Sequence, residues 1–114
     1  MTTRLIPAAL LALAGCGGSD IRVPDQFAGT WGADCSSPWV RFDPGKIHDF
    51  PGNADYPLKA ATFDNGELKV TYTRPDMEVT DTYLNTGDTL RLTKTVAASG
   101  GEASWNKAPM SKCP

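Results

Sequence analysis

Three cysteines, one histidine and thirteen carboxylates are the side chains of this 114-residue chain with the most obvious chemistry. Cys16, Cys35 and Cys113 stand far apart and no CxxC pair occurs, so their spacing fits neither a zinc site nor a dithiol redox centre. His48 sits beside Asp49, with Asp43 and Asp55 nearby, in a stretch punctuated by Pro44, Gly45, Pro51 and Gly52. A metal or acid–base site needs further ligands at a defined spacing, and these carboxylates match no calcium loop. The residues read as a surface loop carrying a solvated His48. No GxSxG elbow or phosphate loop occurs either. The expectation is no catalytic residue, no metal, no cofactor and no enzyme.

The chain has room for one domain. Its net charge of −2 gives no basic footprint, which argues against nucleic acid as a partner. No apolar run reaches the length needed to span a bilayer. The N-terminus has a different organisation. MTTR carries Arg4, and LIPAALLALA follows as an uncharged apolar stretch, the charged-then-apolar layout of a secretory signal.

Two cleavage patterns compete there. Ala12-Leu13-Ala14 fits an ordinary signal peptidase, whereas Leu13-Ala14-Gly15-Cys16 resembles the lipobox of bacterial lipoproteins. That resemblance implies a lipid on the Cys16 thiol and cleavage just before it. Several acyl chains make such an anchor stable where one is marginal, since each buried methylene contributes about 0.8 kcal/mol. In enteric-type sorting an Asp after the Cys holds a lipoprotein at the inner membrane, so Gly17 favours the periplasmic face of the outer membrane. The reading is a signal peptide over 1–15, a lipidated Cys and Gly/Pro-rich tether over 16–26, and one domain over 27–114.

Cysteine parity then becomes informative. With Cys16 consumed by lipid, Cys35 and Cys113 remain as an even pair in an oxidising compartment, and a disulfide between them is expected. Such a bridge would tie the region of the first strand to the chain end.

The elements that must hold these residues are short and regularly punctuated. GTWGA, WVRFD, KIHDF, PLKAATF, ELKVTYT, EVTDTYL, TLRLTKTV and EASWNK read as strands between turn signals, and MSKC closes the chain. Asp64-Asn65-Gly66 is the strongest of those signals, because Asn-Gly tolerates the positive φ angles of a tight hairpin. Leu68, Val70 and Tyr72 fall on one face of their strand. Leu90 and Leu92 fall on one face of theirs, with Thr89, Arg91, Thr93 and Thr95 on the other. The expected fold is all-β, a small antiparallel up-and-down barrel of about eight short strands; a two-sheet β-sandwich is the alternative. Strands this short should fill their interior with side chains, so no roomy cavity for a small-molecule ligand is expected.

Two further resemblances concern the domain. Gly29-Thr30-Trp31 is similar to the Gly-x-Trp that opens calycin barrels, which implies an end-plugging Trp31 covered by a cation from the last strand, Lys107 or Lys112. The alternative is a plain core Trp31. Ser99-Gly100 followed by Trp105-Asn106-Lys107 resembles the membrane-bound C-type lysozyme inhibitor family, with Ala108 where that family has Gly. It implies that Ser99, Gly100 and Lys107 contact a partner's cleft; the alternative is a hairpin turn with a buried Trp105 and a solvated Lys107. Without Arg4, ten basic residues face thirteen acidic ones, a net −3 that suits a basic partner. The functional expectation is a lipid-anchored module that binds or inhibits another envelope or periplasmic protein. An assembly lipoprotein and a calycin-like carrier of a small apolar ligand are the alternatives.

Overall fold

Alternating apolar residues with two-residue turns dictate hairpins, and a run of hairpins long enough to curl can close on itself. The computed structural model describes residues 21–114. The signal segment, Cys16 and the first part of the expected tether lie outside the described residues. Nine strands follow: β1 (Gly29–Gly32), β2 (Val40–Asp43), β3 (Lys46–Asp49), β4 (Ala54–Asp64), β5 (Glu67–Arg74), β6 (Met77–Thr86), β7 (Thr89–Ala97), β8 (Glu102–Ser104) and β9 (Met110–Lys112).

Each strand from β1 to β7 pairs antiparallel with the next. β9 pairs with both β7 and β1, which completes a closed eight-stranded barrel. β8 is an additional strand on the far half of β7. The unbroken ring of pairings sets aside the sandwich and leaves the barrel strands with no free edge along most of the sheet. At the β4–β5 hairpin Asn65 and Gly66 take φ of 54° and 77°, the left-handed pair that a tight antiparallel turn requires.

Alternation fills the interior. Leu68, Val70 and Tyr72 point inward from β5, and Leu90 and Leu92 from β7; all five are buried. Two single-residue bulges then change the pattern. Leu58 opposes Tyr72 but Ala60 opposes Thr71, so Lys59 is the extra residue in β4. Thr82 opposes Lys94 but Tyr83 opposes Leu92, so Thr93 is the extra residue in β7. An inserted residue reverses which side chains face the core beyond it. The expected outward Thr95 therefore turns inward, where its hydroxyl meets the buried Asp81.

Because neighbouring strands alternate in direction, the β2–β3, β4–β5 and β6–β7 turns lie at one end of the barrel and the remaining early turns at the other. The first end is closed. A 3-10 turn, Asp25–Phe27, lays Phe27 across it, with Val23 buried alongside and the Phe63 ring 4.9 Å from that of Phe27. The Gly45 N–H donates to the Ile21 carbonyl (2.8 Å) at the same end. Ile21 and Val23, within the stretch expected as free tether, are thus packed on the barrel, because they have apolar surface to bury there.

The expected bridge is present: Cys35, in the β1–β2 loop, is bonded to Cys113, just past β9, with 5.6 Å between Cα atoms and a sequence separation of 78. A loop of that size corresponds to about 4 kcal/mol in the chain-entropy account.

Candidate functional site

The interior is not filled to the top. At the end opposite Phe27, a half-open cup of about 500 Å³ descends into the barrel. Its volume lies within the ordinary range of ligand pockets, about 300–1,000 Å³. This differs from the expectation of a side-chain-filled interior. The reason is the residue set on the upper halves of the strands: Val79, Thr95 and Ala97 point inward there, and none is large enough to reach across.

The cup has a polar centre. Asp81, inward on β6 and 7% exposed, is one of two polar or charged residues buried among the described ones. Its Oδ2 accepts from the Tyr72 hydroxyl at 2.9 Å, and its Oδ1 accepts from the Thr95 hydroxyl at 2.6 Å. Thr95 in turn accepts from the Trp105 indole N–H at 2.8 Å. An indole N–H can only donate, so Thr95 must spend its own proton on Asp81. The chain therefore runs from Trp105 through Thr95 to the carboxylate, and the register produced by the Thr93 bulge makes it possible.

Opposing effects act on that carboxyl. Burial pushes its pKa up, while the hydroxyls of Thr95 and Tyr72 and the charge of Arg74 pull it down; the net shift is upward. Burial, then the charge of Asp81, pushes the Tyr72 hydroxyl up as well. Asp81 makes no ion pair among the described residues. Tyr83, fully buried on the same wall, packs edge-on against Phe42 at 5.7 Å, and its hydroxyl has no side-chain partner among the described residues.

The rim is aromatic and charged. Trp39, Asp49, Arg74, Asp76 and Trp105 line it, and Trp39 adjoins the end of β3, where the Phe50 N–H donates to its carbonyl at 3.2 Å. The Arg74 guanidinium lies 4.9 Å over the Tyr56 ring, itself stacked on Tyr72. Behind the tryptophans, Lys107 Nζ sits 3.9 Å from the Trp39 ring centre and 5.3 Å from that of Trp105. This stack fills the interval between β8 and β9, and a smaller cavity of about 190 Å³ adjoins it, lined by Trp39, Lys107, Leu92 and Met110 among others.

Several sequence expectations can now be located. Ser99 and Gly100 form the exposed β7–β8 turn, with Gly100 at φ 105°. Lys107 is not extended beside them; it is half-buried between two indoles. Trp105, expected as a core residue under one reading of that segment, is 38% exposed, because β8 is an added strand whose side chains stand at the rim. The cation over Trp31 is Lys112, at 5.8 Å, while the Trp31 indole donates to the Phe27 carbonyl at 2.8 Å. His48 lies within β3, paired on both sides, and not in a loop. Its Nδ1 is 2.7 Å from Asp55, and that hydrogen bond is the main influence holding the Asp55 carboxyl below its ordinary value. Among the described residues no group of three or more His, Cys, Asp or Glu side chains is arranged to hold a metal ion.

Asp81, Thr95 and Tyr83 carried no signal as site residues in the sequence. The one available hint was Asp81 itself, an acidic residue at an inward position of EVTDTYL, between Val79 and Tyr83. Comparisons with protein-family models, with curated proteins and with solved structures give no match to this chain.

Proposed function

We propose that this protein is a lipid-anchored binding module of a bacterial envelope, without catalytic activity, whose barrel receives its ligand in the open-ended cup. The cup carries the reading: about 500 Å³ with aromatic walls and a few convergent polar groups is the composition of a recognition site. The occupant is either a small molecule or an inserted side chain of an envelope protein. Structural or assembly roles would leave such a cavity without use.

The anchor supports the same reading. With lipid on Cys16, only four residues separate the anchor from Ile21, which is bonded to the β2–β3 turn at the closed end. Five extended residue steps reach no more than about 18 Å. Such a short connection would hold the closed end toward the bilayer and turn the mouth of the cup to the periplasm. The exposed Ser99-Gly100 turn stands at that same outer end, where a partner protein would meet it.

The test uses the full chain isolated from bacterial membranes. A fatty-acid label should mark the wild type and vanish in Cys16→Ser; equal labelling of both would remove the anchor. Ala97→Phe places a ring in the cup, and it should lose a ligand that the wild type retains from envelope extract. Identical retention by both proteins would move recognition away from the cup.

A further inference from the structure

We propose that the cup selects an organic cation, an ammonium head on an apolar or aromatic body, with Asp81 as its anionic partner. The inference rests on the binding-module reading and assigns the chemistry of its ligand. Three independent features of the cup point the same way.

The first is an unused acceptor capacity. An ionised carboxylate has about four lone-pair positions. Two on Asp81 are taken, by Tyr72 and Thr95, and the direction of the Trp105–Thr95 relay makes Asp81 Oδ1 an acceptor. The Tyr83 hydroxyl, deep in the same cavity, supplies an oxygen with no side-chain partner among the described residues. Buried polar groups in folded proteins are almost always satisfied, so the pair reads as a receptor for a donor that arrives from outside. A primary ammonium offers three donors and no acceptor, which complements acceptors such as these.

The second is charge. Three carboxylates, Asp49, Asp76 and Asp81, line the cup against one guanidinium, Arg74. That guanidinium is turned onto Tyr56, and Lys107 lies between indoles at the wall. An anionic ligand would meet a net negative field, strengthened by low-dielectric walls. A cation would be drawn in. It would also relieve a buried charge that has no ionic partner, since burial alone works against the ionised form of Asp81.

The third is the wall. Trp39, Tyr72, Tyr83 and Trp105 present aromatic surface around the carboxylate. Aromatic faces attract cations through their quadrupoles, and this barrel already uses that contact for Lys107, Arg74 and Lys112. Such a lining suits a cation whose body is apolar, where an inorganic ion would find too few oxygen ligands.

The same ammonium chemistry belongs to free amines and to the lysine side chain of a protein partner. The experiment separates them. The full chain, isolated from membranes and held in lipid nanodiscs, is titrated with 5-aminopentan-1-ol, pentane-1,5-diol and 5-hydroxypentanoate, reading the indole N–H signals of Trp39 and Trp105 by NMR. The aminoalcohol should bind at least about tenfold tighter than the diol, as expected when one hydrogen-bond partner is charged. The carboxylate should bind weakest. Asp81→Asn should bring aminoalcohol and diol to within about twofold of each other. A capped Ala-Lys-Ala peptide is the last arm: tighter binding than the aminoalcohol assigns the cup to a protein side chain, and weaker binding assigns it to a free amine. Equal binding of aminoalcohol and diol, or a preference for the carboxylate, overturns the cation proposal and leaves the cup as a binding site. No response to any of the three small probes removes the cup as a binding site, and this proposal with it.

Discussion

The two ends of this barrel use the same kinds of residue to opposite purpose. At the closed end Trp31 is 3% exposed, its indole N–H satisfied by a backbone carbonyl, with Phe27 against it and Lys112 over it. At the open end Trp105 is 38% exposed, and its N–H feeds a relay to a buried carboxylate, with Lys107 held between its ring and that of Trp39. Each end therefore has a tryptophan, a lysine and a hydrogen bond. One arrangement ends in backbone and apolar contact, and stabilises the fold. The other ends in a buried carboxylate that faces a cavity, a placement that costs stability. Under the proposed function, stability and recognition are separated along the barrel axis, and substitutions at the two ends should report on different quantities.

The largest contrast is between the two tryptophans. Truncating a fully buried aromatic costs about 3–5 kcal/mol, so Trp31→Ala should approach the whole stability of a small domain. Trp105→Ala removes a half-exposed ring and one hydrogen bond, and should cost about 1 kcal/mol. Urea unfolding of both variants measures the difference. Equal losses would mean that the open end is as much core as the closed one.

A smaller effect concerns the bridge that ties the β1–β2 loop to the end of β9, where the Cys113 N–H donates to the Thr30 carbonyl beside Trp31. Cys35 precedes Trp39 in the β1–β2 loop, and Cys113 ends the segment that carries Trp105 and Lys107. Cys113→Ser should lower stability by about 2–4 kcal/mol, again by urea unfolding, and should loosen the Lys112–Trp31 contact more than the surroundings of Trp105. Tryptophan side-chain NMR signals distinguish the two sites. Broadening confined to Trp105 would reverse the assignment of which end the disulfide supports.

The smallest effect is a pH slope. Asp81 has a folded-state pKa raised above the ordinary 3.8, chiefly by burial. A carboxyl of that kind binds its proton more tightly in the folded than in the unfolded state. Its favourable contribution is present below 3.8 and is lost as pH rises through the raised value. Tyr72, Thr95, Arg74, Asp49 and Tyr83 are the groups around it. Asp81→Asn should accordingly gain stability relative to the wild type as pH rises from 4 toward 7. A difference that shrinks over that range would mean that the carboxylate already has a cationic partner.

What could be read in advance was local. The alternation of Leu68, Val70 and Tyr72, the left-handed Asn65-Gly66 turn and the pairing of Leu90 with Leu92 depend on period-two geometry within a few residues. Strand boundaries followed, and hence an antiparallel barrel. The Cys35–Cys113 pair was legible from parity. His48 was misread because a pairing on both sides, with β2 and β4, outweighs the proline and glycine residues around it. Of the site, only Asp81 left a hint, as an acidic residue at an inward position of EVTDTYL. Thr95 stands on the polar face of its strand by simple counting, and only the extra residue Thr93, accommodated between β6 and β8, turns it toward Asp81. Trp105 and Lys107 likewise take their places from the interval between β8 and β9, which closure against β1 imposes. Sequence periodicity fixed the strands because side-chain direction alternates along each one. The cup was decided by register, bulges and closure, because these depend on which strand lies opposite and not on the residues next in line.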